Sequence, residues 1–154
     1  MPLDPDLFRR IMGGFPTGVT IVTTAFEGRP HGMTANAITS VSLDPLLMLF
    51  CAQKSTRTHA IFAINFLGSE MTELSDRCAG RTVPEDERFA GVAWSAATTG
   101  APILDAALGW LDCRVVNAIP GGDHTIFLGE VVDGGCGADR PPLVFHRGHY
   151  TTVA

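Results

Sequence analysis

The sequence has no run of lysine or arginine anywhere, and its 16 acidic residues outnumber its 11 basic ones, leaving a net charge of −5 and a pI near 5.4. That excludes a nucleic-acid binder, which would carry a basic patch or stripe. No window approaches the roughly 18 uninterrupted apolar residues of a membrane-spanning helix, and the N-terminus lacks the basic start and apolar core of a signal peptide. A soluble, cytoplasmic protein with no membrane partner is the expectation. The signatures G-x-G-x-x-G, the P-loop and H-E-x-x-H are also missing, so the usual local motifs for dinucleotides, nucleotide phosphates and zinc do not apply. Cys51, Cys78, Cys113 and Cys136 form no C-x-x-C pair and have no histidine cluster nearby, and no metal site is expected. Cys51 and Cys113 stand in apolar surroundings and read as small core residues. Internal repeats, linkers and low-complexity tracts are absent as well.

What is present is a chain of 154 residues, 45% hydrophobic and 18% charged. Such a chain suits a single domain over residues 1–154 that buries about two-thirds of its unfolded surface. Its organising stretch runs from Gly32 to Pro45, Gly-Met-Thr-Ala-Asn-Ala-Ile-Thr-Ser-Val-Ser-Leu-Asp-Pro, and places hydroxyl and amide groups just ahead of the apolar run Leu46 to Ala52. Short hydrogen-bonding groups beside a buried strand can ring a polar, planar ligand.

Asp4-Pro5 starts a helix, with Asp as the N-cap and Pro at the first helical position, and Gly13-Gly14 ends it. Leu7, Phe8, Ile11 and Met12 recur at helical spacing, so this helix should pack its apolar face against something. Val19 to Thr24 reads as a strand, Glu27 to Pro30 as a hairpin turn and His31 to Ile38 as the returning strand. After a turn at Asp44-Pro45, Leu47 to Cys51 is a continuous apolar run suited to a strand covered on both faces. Phe62 to Leu67 follows as a strand, then Glu70 to Ala79 as a helix with Met71, Leu74 and Cys78 on one face. Residues 81–90 form a charged surface loop or short helix with Phe89 packing back, Trp94 begins a short strand, and Thr98 to Pro102 is a loop. Leu108 to Ile119 is a long strand in which Leu111, Cys113 and Val115 alternate with Asp112, Arg114 and Val116. His124 to Val132 returns from a turn at Pro120 to Asp123, and a glycine-rich turn, Gly134 to Gly137, precedes a last hairpin from Leu143 to Val153. The count is about six strands and two helices without β-helix-β alternation, which predicts an antiparallel barrel with accessory helices.

Gln53 to Thr58 gathers Lys54, Arg57 and the hydroxyls of Ser55, Thr56 and Thr58 immediately after the apolar strand. Hydroxyls, backbone amides and an arginine fork are what a phosphate monoester needs, although by itself such a segment reads first as an exposed polar loop. His124 opens a strand beside Asp123, where an imidazole faces either a cleft or solvent. His146 and His149 flank Arg147-Gly148 and read as a solvated terminal hairpin.

Taken together, Phe15 to Thr24, His31 to Asn36, Thr39 to Pro45, Ser55 to Thr58, Asp86 to Gly91, Leu111 to Cys113, Gly122 to Ile126 with Gly129 to Val131, and Phe145 to Tyr150 resemble the short-chain flavin reductase family, in order and nearly end to end. The resemblance implies a mainly β fold, a split β-barrel with accessory helices, usually a homodimer with the flavin near the subunit interface. It implies an NAD(P)H:flavin oxidoreductase that moves hydride from NADH or NADPH to FMN or FAD, often for a separate flavin-dependent monooxygenase. Carried over residue by residue, Thr34, Ala35, Asn36, Ala37, Ser40 and Ser42 would border the flavin ring and ribityl chain, with Cys51, Ala52 and Lys54 alongside. Ser55, Arg57 and Thr58 would lie at the phosphate. Arg88 and Phe89 would come near the flavin or its phosphate side, Arg147 and Tyr150 would close the site, and His124 would approach the nicotinamide as the catalytic residue. The cofactors carry the hydride chemistry, so no acid/base triad is expected.

One departure stands out: only His59-Ala60-Ile61-Phe62 separate Thr58 from Ala63, room for a single helical turn at about 3.6 residues per turn, where the family carries a helix and a short turn. A flavin-binding or accessory protein of the same fold without turnover, and an oxidase of the pyridoxamine-phosphate type, are the alternatives.

Overall fold

The computed structural model describes residues 1–54 and 60–153. Helix α1, Pro5–Gly13, begins where the Asp4 carboxylate accepts the Asp6 amide at 3.2 Å, with Pro5 in the first turn. The cap takes up a donor the helix leaves unpaired, and the proline costs none. A two-residue strand β1 (Thr17–Gly18) leads into β2 (Thr20–Phe26), β3 (Arg29–Ala35), β4 (Ile38–Leu43), β5 (Leu46–Gln53) and β6 (Ile61–Phe66). After α2 (Thr72–Cys78) and a 3-10 turn at Glu85–Glu87 come β7 (Trp94–Ala96) and β8 (Pro102–Leu104). The chain ends with a long pair, β9 (Gly109–Gly121) and β10 (His124–Cys136), and the hairpin β11 (Val144–His146) and β12 (His149–Thr151).

Seven strands form one antiparallel sheet in the order β3-β2-β6-β9-β10-β5-β4, while β11–β12 joins β1, and β7 pairs with β8. The turns set this order. Glu27 and Gly28 both take positive φ, 52° and 73°, the two-residue turn whose twist closes β2 on β3. The cis Asp44–Pro45 bond occupies the equally tight β4–β5 turn, where Leu43 faces Leu46.

Val22, Met48, Phe50, Phe62, Ile64, Cys113 and Phe127 make one core on the sheet. Phe50 stacks on Phe127 at 5.0 Å and meets the edge of Phe62 at 4.6 Å. A second core under α2 joins Val19, Ile21, Leu67, Met71, Cys78, Leu104 and Leu143, and half-buried Phe89 packs back onto it.

The mainly β fold with accessory helices is as expected, and the details differ in instructive ways. Among the described residues there are twelve strands, because β1, β7, β8, β11 and β12 are pieces of two or three residues, too short to carry a periodic signal. Pro102, expected in a loop, opens β8, and Ile38, expected to end the returning strand, opens β4. Strand β5 is not covered on both faces: Met48, Phe50 and Ala52 are buried, whereas Leu47, Leu49 and Cys51 alternate with them half-buried. Cys51 is therefore no core residue, while Cys113 is.

Asp112, expected on the polar face of β9, is fully buried because its carboxylate accepts the Thr99 amide at 2.9 Å and the Thr99 hydroxyl at 2.5 Å. Gly134 and Gly135 belong to β10 and not to a turn; a Cβ on Gly135 would stand 2.9 Å from Trp110 Nε1, so the missing side chain makes room for the indole. The apolar face of α1 is left largely exposed among the described residues, with Phe8 57%, Ile11 59% and Met12 50% exposed.

Candidate functional site

The candidate residues fall into two groups on either side of the β3–β4 link. The first gathers where β4, β5 and β10 meet. The Cys51 amide donates to the Ala37 carbonyl at 3.0 Å, and β10 runs antiparallel to β5 with His124 opposite Gln53, Thr125 opposite Ala52 and Ile126 opposite Cys51. The Lys54 amide then donates to the Asp123 carbonyl at 3.1 Å. Directly opposed residues share a face, so His124 and Gln53 lie on the side of Cys51, away from Phe50 and Phe127. Ala35 and Ala52 send their side chains into the core and leave only backbone to a ligand.

Asn36, Ala37, Ser40 and Lys54 are exposed, and Ser42 is half-buried with its hydroxyl accepting the Asp44 amide at 3.2 Å. Among the described residues the side chains of Asn36, Ser40 and Lys54, the chain's one lysine, make no hydrogen bond or ion pair. His124 is held at Nδ1 by the Asp123 carboxylate at 2.7 Å, which leaves Nε2 to the surroundings. That same hydrogen bond, with the imidazole's charge, holds the Asp123 carboxyl below its ordinary value.

The second group is drawn together by α2 and the terminal hairpin. Thr34 donates its hydroxyl to the Ser75 carbonyl at 2.6 Å. Arg88 donates to the Gly32 carbonyl at 3.0 Å, while the Phe89 ring lies so near Gly32 that a Cβ there would come within 2.6 Å of it. Tyr150 lies 2.7 Å from the Ser75 hydroxyl and donates to Asp76 at 2.8 Å. Burial, with the Asp76 carboxylate beside it, holds the Tyr150 phenol above its ordinary value. Arg147 sits at the hairpin turn with φ of 51°, its amide donating to the Gly13 carbonyl at 2.9 Å and so fastening the hairpin to α1. Thr34, Arg88, Phe89 and Tyr150 thus brace β3 from behind, one strand link away from Asn36 and Ala37.

Ser55, Arg57 and Thr58 lie outside the described residues. The segment that holds them leaves β5 at Lys54, beside Asp123, and rejoins at Ala60, whose carbonyl accepts the Val115 amide at 2.9 Å. Sequence reasoning missed Ser75, Asp76 and Arg81. The spacing held one clue: Ser75 is four residues from Met71 and three from Cys78, so it shares their buried helical face.

Residues 12–154 match the family model of the flavin reductase like domain. The chain is 36% identical to the flavin-dependent monooxygenase reductase subunit HsaB of Rhodococcus jostii (strain RHA1), covering 98% of this chain and 79% of that protein. The solved structure of the flavin reductase PheA2 in its native state superimposes with a TM-score of 0.89 at 38% identity, over 99% of both chains. The Streptomyces globisporus NADH:FAD oxidoreductase SgcE6, solved in complex with NAD and FAD fragments, does so with a TM-score of 0.88 at 36% identity, over 100% of this chain and 97% of that one.

Proposed function

The chain belongs to the flavin reductase-like family, and on that premise we propose that it is an NAD(P)H:flavin oxidoreductase whose site is the meeting of β4, β5 and β10. It takes hydride from NADH or NADPH, passes it to FMN or FAD, and supplies the reduced flavin to a partner monooxygenase, as the likeness to the Rhodococcus jostii reductase subunit suggests. The observation that carries this reading is that β10 sets His124 beside Gln53 on the face of Cys51 and Ala37, with Lys54 at the exit of β5 and Asn36 just ahead of β4. That face fits a flavin. Ala37 and Cys51 are small enough for a flat ring to lie close, while Asn36 and Lys54, at the ends of the strands that flank it, hold unspent polar groups; Ser40, opposite Met48, stands on the other face of β4.

A bound flavin would supply the two-electron acceptor for the hydride. The chain's own part is to bind and to orient. Lys54 offers a positive charge to a phosphate, and the backbone at Asn36 and Ala37 offers hydrogen bonds to the ring. Asp123 fixes the His124 imidazole through Nδ1 so that Nε2 can meet the nicotinamide amide. A second copy of the chain covers the apolar face of α1 and Phe15, which is 67% exposed, giving a homodimer. Four free thiols, Cys136 among them exposed, suit the reducing cytoplasm.

NADH and NADPH consumption in air, with FMN, FAD or no added flavin, tests the reading together with the visible spectrum and the sedimentation mass of the purified protein. Turnover that depends on added flavin, by a dimer, is the expected result. Flavin bound without turnover would make this a flavin-binding protein, and neither binding nor turnover would leave only the fold.

A further inference from the structure

Ser75 is fully buried on the inner face of α2 and meets two segments far apart in sequence. Its carbonyl accepts the Thr34 hydroxyl at 2.6 Å while keeping its helical bond from the Ala79 amide at 2.9 Å. Its hydroxyl lies 2.7 Å from the Tyr150 oxygen. A phenol has one proton, and that of Tyr150 goes to the Asp76 carboxylate, so Ser75 is the donor to Tyr150. Arg81 completes the chain of bonds, pairing with Asp76 at 3.0 Å and reaching the phenol oxygen at 3.5 Å. Thr34 has spent its only hydroxyl proton on Ser75 and has none to donate to a ligand. It also sits near the end of β3, which among the described residues is an edge strand paired with β2 alone, so that the sheet holds the exit of the chain toward Asn36 from one side.

We propose that Ser75 is a positioning residue: from α2 it ties the terminal hairpin, through Tyr150, to Thr34, and so holds the Asn36–Ala37 link in place against the flavin. The inference rests on the proposed function for placing flavin at that link. Thr34 then acts as a tie for the backbone and not as a flavin ligand, and the terminal hairpin reaches the site through α2.

The test is a double-mutant cycle on the purified full-length chain with Ser75→Ala, Thr34→Val and both together, reading flavin KM, kcat at saturating NADH and melting temperature. Thr34→Val keeps the side-chain shape, and the Ser75 carbonyl stays paired with Ala79. Each single change should raise flavin KM about fivefold, the equivalent of one ordinary hydrogen bond, and leave kcat within about twofold. The double variant should be no worse than the worse single one, since the two changes cut consecutive links of one tie, Ser75→Ala the link to Tyr150 and Thr34→Val the link to the Ser75 carbonyl. Thr34→Ser should restore the KM. Tyr150 is the only tyrosine, so its ultraviolet titration reports the bond directly and should move further up in Ser75→Ala, which removes a donor to the phenolate.

Multiplying KM effects would mean that Thr34 touches the flavin on its own account, and the tie would be refuted. Unchanged KM in both single variants of a protein with normal turnover would refute it too. Lack of flavin-dependent turnover in the unsubstituted protein, measured first, defeats the proposed function and this inference with it. Should Ser75→Ala fail to fold, Tyr150→Phe cuts the same bond from its other end and is held to the same KM outcomes.

Discussion

The two ends of the large sheet treat polar side chains in opposite ways. Where β2, β6 and β8 meet, Asn65 is fully buried and spends every group it has: its amide donates to the Ile21 carbonyl and the Thr23 hydroxyl, each at 3.2 Å, and its carbonyl accepts the Leu104 amide at 2.9 Å. Thr23, buried beside it, donates to the Pro102 carbonyl at 2.6 Å. Where β4, β5 and β10 meet, Asn36, Ser40 and Lys54 are exposed with no partner among the described residues, and His124 is held only by an exposed Asp123. A polar group taken out of water costs free energy unless it is bonded, so the first set must be saturated for the chain to fold at all. The second set remains hydrated and costs the fold nothing. Side chains of the same types hold register at one end and stand ready for a ligand at the other.

The largest effect that would break this contrast is at the saturated end. Asn65→Leu keeps the volume and leaves the buried Leu104 amide and Thr23 hydroxyl short of a partner. That should cost about 3 kcal/mol and lower the melting temperature by roughly 6–12 °C in a chain of this size. Calorimetry is the measurement, with activity per folded molecule unchanged. A melting temperature within a degree or so of the original would mean that the network is ornamental.

At the open end the effect should appear in turnover and not in stability. His124→Ala is expected to lower NADH oxidation about tenfold, the loss of about 1.4 kcal/mol in the transition state, with flavin affinity and melting temperature nearly unchanged. Steady-state kinetics beside a flavin titration separates the two quantities. Full turnover by this variant would remove His124 from the reaction.

Much of this contrast was legible in the sequence, and the part that was not has a physical reason. The helix cap at Asp4-Pro5, the tight turns and the alternation of β9 are local, and local chemistry decides them. The fate of Asp112 was not local. Alternation put it on the outer face, and only the approach of Thr99, 13 residues earlier, makes burying a carboxylate possible. Ser75 hid for the same reason, since its partners Thr34 and Tyr150 are 41 and 75 residues away. The apolar face of α1 was plain in the periodicity, yet among the described residues it stays largely exposed. Lys54 and His124 were marked as polar residues after and before strands, and only the β5–β10 register brought the end of β5 and the start of β10 together, His124 opposite Gln53 and Lys54 bonded to Asp123.

The thiols give the smallest effect and sample both regions at once. Burial pushes Cys78 up to about 12 against the pull of Arg88 and Arg77, and burial with the Asp112 charge beside it does the same to Cys113. Below about pH 8 both cysteines keep their protons whether the chain is folded or not, and they add no pH dependence to stability. From there up to about pH 12 the unfolded chain gives up protons that the folded chain retains, so stability falls as pH rises, by about 0.4 kcal/mol per thiol at pH 9. Denaturant midpoints at about pH 7.5 and pH 9 would register that slope. Alkylation at about pH 8 should meanwhile modify exposed Cys136 first and half-buried Cys51 more slowly, leaving Cys78 and Cys113 untouched until the protein unfolds. Flavin should slow the reaction of Cys51 alone, because Cys51 shares the face of His124 while Cys136 lies at the far end of β10. Equal protection of Cys51 and Cys136 by flavin would place the ligand elsewhere on the sheet.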